Sequence, residues 1–151
     1  MKLAEALSAR ADLQRRVAKL KERIKASAKV LEGDDPCDDV DQLLTELDET
    51  LVSLQDLIYR INLTNVNTLK DGESLTHLIA RRDVLAMRVR TMQDVVNHVA
   101  ANDSRYGRQE LKYIRTIDVA PLRQKTDSYA KQYRELDLLI QSLNWTVDLV
   151  D

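Results

Sequence analysis

Four side chains of metal-ligand type stand out in this sequence: Glu5, Asp12, His77 and Asp83. Four-helix bundles that bind divalent cations carry such carboxylates and imidazoles on facing helices. The set therefore predicts a metal site, with Zn, Fe or Mn as the candidate cofactor. The Glu-x-x-His motif of di-iron bundles is missing, because no Glu lies three residues before His77. His98 lies far along the same segment, where we expect a surface position.

A second set of polar residues interrupts the apolar patterns. Arg10 falls between Ala6 and Leu13 in one apolar stripe, and Arg82 falls within another. A buried guanidinium needs a carboxylate, because leaving its charge unpaired is strongly destabilising. Asp137 is the expected partner. With these residues we group, as one polar cluster, Arg10, Asn62, Thr64, Asn65, Arg82, Asp137, Asn144 and Trp145.

Three interpretations of the polar cluster stay open. Asn and Thr side chains can hydrogen-bond one another, the backbone and the arginines, and such a network would hold the helices in register. The neighbouring carboxylates and His77 could instead bind a metal ion. Alternatively, the two arginines could bind a phosphate or a carboxylate.

Composition favours long helices as the elements that position these residues. The 151 residues are 44% hydrophobic and 32% charged, with three Gly, two Pro and no Phe. These values suit one all-α domain in which aliphatic side chains form the core. Apolar residues recur at spacings of three and four, which predicts helices over about 2–31, 36–65, 74–100 and 118–143.

Local signals mark the ends of these helices. Asp35 followed by Pro36 predicts the start of the second helix, and Asp118 predicts the start of the fourth. The segment "KDGES" predicts a turn before the third helix. "LKYIRTI" (Leu111–Ile117) alternates residue types as a strand does, and it could pair with Arg105–Arg108. We therefore expect an extended insert over about 104–117, between helices three and four.

Short connections predict a single domain over 1–151, folded as an antiparallel up-down-up-down four-helix bundle. In that topology the polar cluster gathers at one end, with Asn62 and Asn65 continuing the buried face of helix two. Apolar stripes of this width also serve oligomers. We therefore expect a self-associating protein, either a dimer or a trimer of dimers.

Charge is divided between the first two helices. Residues 10–29 contain eight Lys and Arg, whereas residues 32–56 contain ten acids and no base. Oppositely charged neighbours predict ion pairs along the flanks of the two helices. The alternative, which the acidic neighbour disfavours, is an RNA-binding arm formed by Arg15, Arg16, Lys19 and Arg23.

Several functional classes lack their signatures. The sequence has no P-loop, no dinucleotide glycine motif, no zinc-spaced cysteines and no serine elbow, which favours a non-enzymatic protein over a metal-dependent enzyme of unknown substrate. The single cysteine, Cys37, excludes an intrachain disulfide and has no basic neighbour to stabilise a thiolate. No segment reads as a secretory signal or a membrane span, so we expect a cytoplasmic protein without a membrane partner.

Five segments together carry a family resemblance: "MKLAEALSARADLQRRV", "RINLTNVNT", "DGESLTHLIARRDVL", "RYGRQELKYIRTIDV" and "RELDLLIQSLNW". Over essentially its full length the chain resembles the septicolysin-like family of uncharacterised bacterial helical proteins. The resemblance implies a cytoplasmic, all-helical, oligomeric protein with no established activity.

Overall fold

Four long helices form the part of the chain that the computed structural model describes, which is residues 1–101 and 111–151. They are α1 (Leu3–Ala28), α2 (Val40–Asn67), α3 (Leu75–Ala100) and α4 (Val119–Thr146). Two short strands, β1 (Leu69–Lys70) and β2 (Glu73–Ser74), lie between α2 and α3. The predicted all-α class is confirmed. No helix in the described ranges is long and apolar enough to cross a membrane.

The start of α2 differs from the prediction. The helix begins at Val40, and its N-cap is Asp39, whose carboxylate accepts the backbone N–H groups of Asp41 and Gln42. The predicted start at Asp35 and Pro36 is wrong because contacts with α1 hold Asp38, the residue immediately before the N-cap. The N–H of Asp38 donates to Ser27 Oγ at 3.1 Å.

The remaining helix ends show smaller differences. The Asp118 carboxylate accepts the N–H of Ala120 at 3.3 Å, so the predicted N-cap of α4 is confirmed. The helix continues through Asn144 to Thr146, three residues beyond the predicted end. By contrast, α1 ends at Ala28, three residues before the predicted end, and Leu31 is exposed.

The hairpin between α2 and α3 is built on the predicted turn. β1 and β2 are antiparallel, with Lys70 paired to Glu73. Asp71 and Gly72 connect them with φ of 52° and 85°. Positive φ at both central positions defines a type I′ turn, for which Asp-Gly is a favoured pair.

The strand predicted over Leu111–Ile117 is wrong. These residues have no regular structure, and the side chains of Leu111, Tyr113 and Ile114 are exposed. The alternation of residue types therefore did not reflect one buried face. The predicted partner segment, 105–108, lies outside the described residues.

The described residues divide into two compact units. The first unit contains residues 1–76 and 141–151, and the second contains residues 77–140. Ion pairs link Arg16 to Glu46 and Arg23 to Asp38 in the first unit, so α1 and α2 run antiparallel. Its buried apolar side chains are Leu3, Ala6, Leu20, Leu43, Leu57, Ile61, Leu75 and Leu149.

In the second unit, α3 and α4 also run antiparallel. Arg82 pairs with Asp137, and the Arg88 guanidinium lies 4.7 Å from the centre of the Tyr129 ring. The buried apolar side chains of this unit are Leu78, Val96, Leu136 and Ile140. Antiparallel pairing of consecutive helices is therefore confirmed within each unit.

Candidate functional site

The predicted metal ligands are divided between the two units. Glu5 belongs to the first unit, where its carboxylate accepts the N–H of Lys2 at 2.6 Å and caps the start of α1. Asp12, also on α1, is bound by Arg15. His77 and Asp83 belong to the second unit. There, Asp83 accepts two hydrogen bonds from Arg82, at 3.0 and 2.9 Å.

The geometry does not support a metal centre within either unit. Glu5 and Asp12 are seven residues apart on one helix, or about 10 Å along its axis. Direct ligands lie within about 2.6 Å of the ion, so these two carboxylates do not converge on a single cation. Within residues 1–101 and 111–151, no group of three or more His, Cys, Asp or Glu side chains is placed to hold a metal ion.

Arg82 forms the ion pair that was predicted with Asp137. Its Nη1 lies 3.3 Å from the Asp137 carboxylate, and the two side chains are 27% and 26% exposed. Burial lowers the pKa of Arg82, but hydrogen bonds and charge from Asp83 and Asp137 outweigh this effect and raise it overall. Two carboxylates surround the guanidinium, so this position is poorly suited to bind an added anion. Arg10, the other predicted arginine, is half-buried on α1 in the first unit.

Thr64 is the member of the polar cluster that lies deepest in the first unit. Its side chain is 1% exposed. Its hydroxyl donates to the carbonyl of Arg60 at 2.7 Å and accepts the N–H of Val150 at 3.1 Å. The Arg60 side chain also donates to the carbonyl of Val150, at 2.9 Å. The end of α2 therefore binds the C-terminal tail.

The two chain ends meet in the same unit. The N–H of Leu3 donates to the carbonyl of Val147, and the N–H of Leu149 donates to the carbonyl of Met1. The ammonium group of Lys2 lies 2.8 Å from the Asp148 carboxylate, and its hydrogen bond lowers the pKa of that carboxyl. We call the paired residues 1–3 and 147–151 the terminal clasp.

The other residues of the polar cluster lie nearer the surface. Asn62 is exposed, so the prediction that it continues the buried face of α2 is wrong, and Asn65 is half-buried. Asn144 is half-buried in the last turn of α4, and Trp145 beside it is exposed. His98 is exposed, as predicted. Of the predicted polar cluster, Thr64 is the member of the first unit whose side chain bonds to the C-terminal tail, next to the terminal clasp.

Three of the four residues of the predicted RNA-binding arm on α1 form ion pairs within the chain. Arg15 binds Asp12. Arg16 pairs with Glu46 on α2 at 2.8 Å, and Arg23 pairs with Asp38, just before the start of α2, at 2.9 Å. Hydrogen bonding from Arg23 lowers the pKa of Asp38. The predicted ion pairs between the flanks of α1 and α2 are confirmed.

The most prominent unexplained surface lies on α2. Val52, Tyr59 and Val66 are 70%, 64% and 57% exposed, and they recur every seven residues along one side of the helix. We call these three residues the outer face. Val52 and the buried Ile61 are nine residues apart, or two and a half turns, and therefore point in opposite directions. α2 is thus apolar on two opposite sides.

Sequence reasoning missed the outer face. Leu44 and Leu51 of α2 are also partly exposed. The signal that could have revealed this surface is the spacing of seven residues between Val52, Tyr59 and Val66. These residues form a series separate from the buried residues of α2. An apolar residue at every seventh position lies on one side of a helix and supplies one of the two apolar positions of a heptad repeat.

Comparison with other proteins places this fold in a family. The family described as "Family of unknown function (DUF6847)" matches residues 10–149. A protein from Corynebacterium diphtheriae, solved as the "Crystal structure of a functionally unknown conserved protein", is 40% identical, with 99% of each chain covered and a TM-score of 0.90. None of the curated proteins matches this sequence. The resemblance to the septicolysin-like family stays a prediction.

Proposed function

Since the chain belongs to the family of unknown function DUF6847, we propose its function from its surface chemistry: it is a self-associating helical protein whose copies pack along the outer face of α2. The observation that carries this proposal is the pair of opposite apolar sides on one helix. Leu43, Leu57 and Ile61 are buried within the chain, whereas the outer face is exposed. An apolar stripe on one side of a helix normally packs against another element, and the outer face has no such cover within the described residues.

The strength of such an association follows from the exposed area. Complete burial of a Val or similar side chain contributes about 1.5–3 kcal/mol, so each residue of the outer face, more than half exposed, contributes roughly 1–2 kcal/mol when covered. Six such side chains in two copies give roughly 6–12 kcal/mol. Association itself costs about 4–15 kcal/mol, so the net free energy of association is at most about 8 kcal/mol and we expect a weak dimer, with a dissociation constant of about micromolar or higher.

A matched pair of substitutions tests the proposal. Val52→Glu places a charge at the start of the outer face, while Val84→Glu makes the same change at a valine on α3 that is 58% exposed. Glu is at least as good a helix former as Val, so both variants should fold. We expect the unmodified protein and Val84→Glu to dimerise across about 1–200 µM, and Val52→Glu to be monomeric, as measured by sedimentation equilibrium.

Two results would contradict the proposal. The unmodified protein could remain a monomer throughout this concentration range, which would leave the outer face without a second copy to cover it. Alternatively, Val52→Glu could dimerise as strongly as Val84→Glu, which would place the contact elsewhere. Circular dichroism of both variants should show unchanged helix content, so that loss of association is not confused with unfolding.

The other predicted activities are tested separately. Metal binding by Glu5, Asp12, His77 and Asp83 stays a prediction, and elemental analysis of the purified protein would reveal a stoichiometric ion. RNA binding by α1 would produce salt-sensitive affinity for mixed RNA. The ion pairs of Arg15, Arg16 and Arg23 weigh against it, because these charges are already neutralised within the chain.

A further inference from the structure

The two compact units differ in the sign of their charge. In the sequence, residues 1–76 and 141–151 carry seventeen Asp and Glu against eleven Lys and Arg, whereas residues 77–140 carry twelve Lys and Arg against eight Asp and Glu. Salt screens charges beyond about 8 Å at physiological ionic strength, so a partner responds to the local charge rather than to the net charge of the chain. We propose that the basic second unit binds a single-stranded nucleic acid at the start of α4.

The cations near the start of α4 are free of carboxylate partners. Lys112, Arg123 and Lys125 are exposed, and none of them forms an ion pair with another of residues 1–101 and 111–151. On α1, by contrast, Arg16 and Arg23 are bound to acids of the same unit. A free cation binds a phosphate without first giving up an ion pair. The second unit is therefore better suited to a polyanion than α1.

A groove of about 880 Å³ lies at the start of α4, and Arg115 and Arg123 are among the residues that line it. Arg115 Nη2 donates to the carbonyl of Ala100 at 3.1 Å, which ties this guanidinium to the end of α3. A guanidinium has five N–H donors, so others of Arg115 can bind phosphate oxygens. Two carboxylates also line the groove. Asp118 caps α4, and Asp127 can accept the amino group of a base.

Tyr113 supplies an aromatic ring beside the groove. Its side chain is 87% exposed, and it lies two residues before Arg115, so the two Cα atoms are at most about 7 Å apart. Aromatic rings next to cations bind single strands, because unpaired bases stack on the ring while the cations contact the backbone. A duplex keeps its base faces covered. The exposed Tyr113 therefore favours a single strand over a duplex.

Free cations continue along α4 beyond the groove. Arg134 is exposed, and no carboxylate of the described residues forms an ion pair with it. It lies eleven residues after Arg123, or close to three turns, and therefore on the same side of the helix, about 16.5 Å away. Two cations at this separation contact different phosphates of one strand. The spacing thus favours an extended polyanion over a small anion.

Fluorescence anisotropy of labelled oligonucleotides tests the proposal. The full chain is titrated onto single strands of about 12 nucleotides with mixed sequence, one of RNA and one of DNA, and onto a duplex of the same sequence. We expect single strands to bind with a Kd of about 10⁻⁴–10⁻⁶ M that rises steeply with salt, and the duplex to bind more weakly. Tighter binding of RNA than of DNA would identify the 2′-hydroxyl as a contact.

A matched pair of substitutions locates the site. Lys125→Gln and Lys19→Gln each remove one free, exposed cation, from α4 and from α1 respectively. Lys125→Gln should raise the Kd about threefold and reduce the slope of log K against log salt by about 0.7, whereas Lys19→Gln should change neither. Tyr113→Ala should raise the Kd by about tenfold and leave the slope unchanged, because the ring carries no charge. All three side chains are exposed, so circular dichroism should show unchanged helix content.

Four results would overturn the proposal. The first is the absence of binding to either single strand at low salt. The second is an equal effect of Lys125→Gln and Lys19→Gln, which would leave only non-specific attraction. The third is a Kd unaffected by Tyr113→Ala, or equal to that of the duplex. The fourth is sedimentation with phosphatidylserine vesicles without oligonucleotide binding, in which the exposed Leu111 and Ile114 would contact lipid.

Discussion

Replacing Thr64 by Val isolates the attachment of the C-terminal tail to α2. Valine has nearly the shape of threonine, so the packing of this 1% exposed side chain is kept while its hydroxyl is lost. The carbonyl of Arg60 keeps its bond within the helix, but the N–H of Val150 loses its acceptor. A buried donor left unpaired costs about 1–3 kcal/mol. Because Val150 is half-buried, we expect a loss near 1–1.5 kcal/mol.

Two other buried threonines provide the control. Thr50 and Thr126 also donate to the carbonyl four residues earlier, at 2.7 and 2.8 Å, but among the described residues neither accepts a bond from the tail. Thr50→Val and Thr126→Val should therefore change the free energy of unfolding by less than about 0.5 kcal/mol. Urea unfolding measures all three, and amide exchange at Val150 should accelerate in Thr64→Val alone.

Equal effects of the three Thr→Val substitutions would refute this reasoning. In that case the cost would come from burying a methyl group in place of a hydroxyl, which is common to all three sites. Unchanged exchange at Val150, combined with lower stability, would show that the hydroxyl does not hold the tail. For a chain of 151 residues, the expected loss corresponds to a decrease in Tm of about 3–5 °C.

Two further predictions concern charge. Arg82→Met removes the guanidinium that pairs with the partly buried Asp137 and should lower stability by about 1–2 kcal/mol; an additive double-mutant cycle with Asp137→Asn would show that the pair contributes nothing. The pKa values of Asp38 and Asp148 lie below the ordinary 3.8, so their stabilisation is present above about pH 4 and disappears as the pH falls. Removing both carboxylates should make the free energy of unfolding depend less on pH below about pH 4.

Helix existence could be predicted from the sequence because the spacing of three and four is sustained over six to eight turns. Local predictions were also correct where the sequence offers one candidate. Asp118 caps the start of α4, and the Asp-Gly pair forms the hairpin turn. The start of α2 could not be predicted in this way. Asp34, Asp35, Asp38 and Asp39 are all N-cap candidates, and contacts with Ser27 and Arg23 select among them.

The candidate site could be predicted only in part, for a related reason. The pair of Arg82 and Asp137 could be predicted because α3 and α4 are antiparallel neighbours. In such a pair, a residue of α3 lies beside the residue of α4 that is equally far from the end of α3 and the start of α4. The role of Thr64 did not, since the tail residue that it binds lies 86 positions away. The strand over Leu111–Ile117 was predicted from alternation alone, and a strand requires a partner that local sequence does not specify.

Both sides of α2 carry apolar residues, so residue types alone do not show which side is buried. The position of α1 decides which side becomes the core. Glu46 and Asp38, which bind Arg16 and Arg23, fix how α1 lies against α2. Glu46 lies six residues before Val52, or about a third of a turn around the helix. α1 is therefore held away from the outer face. The same charge division that pairs the two helices within one chain thus leaves a second apolar side of α2 available to another copy.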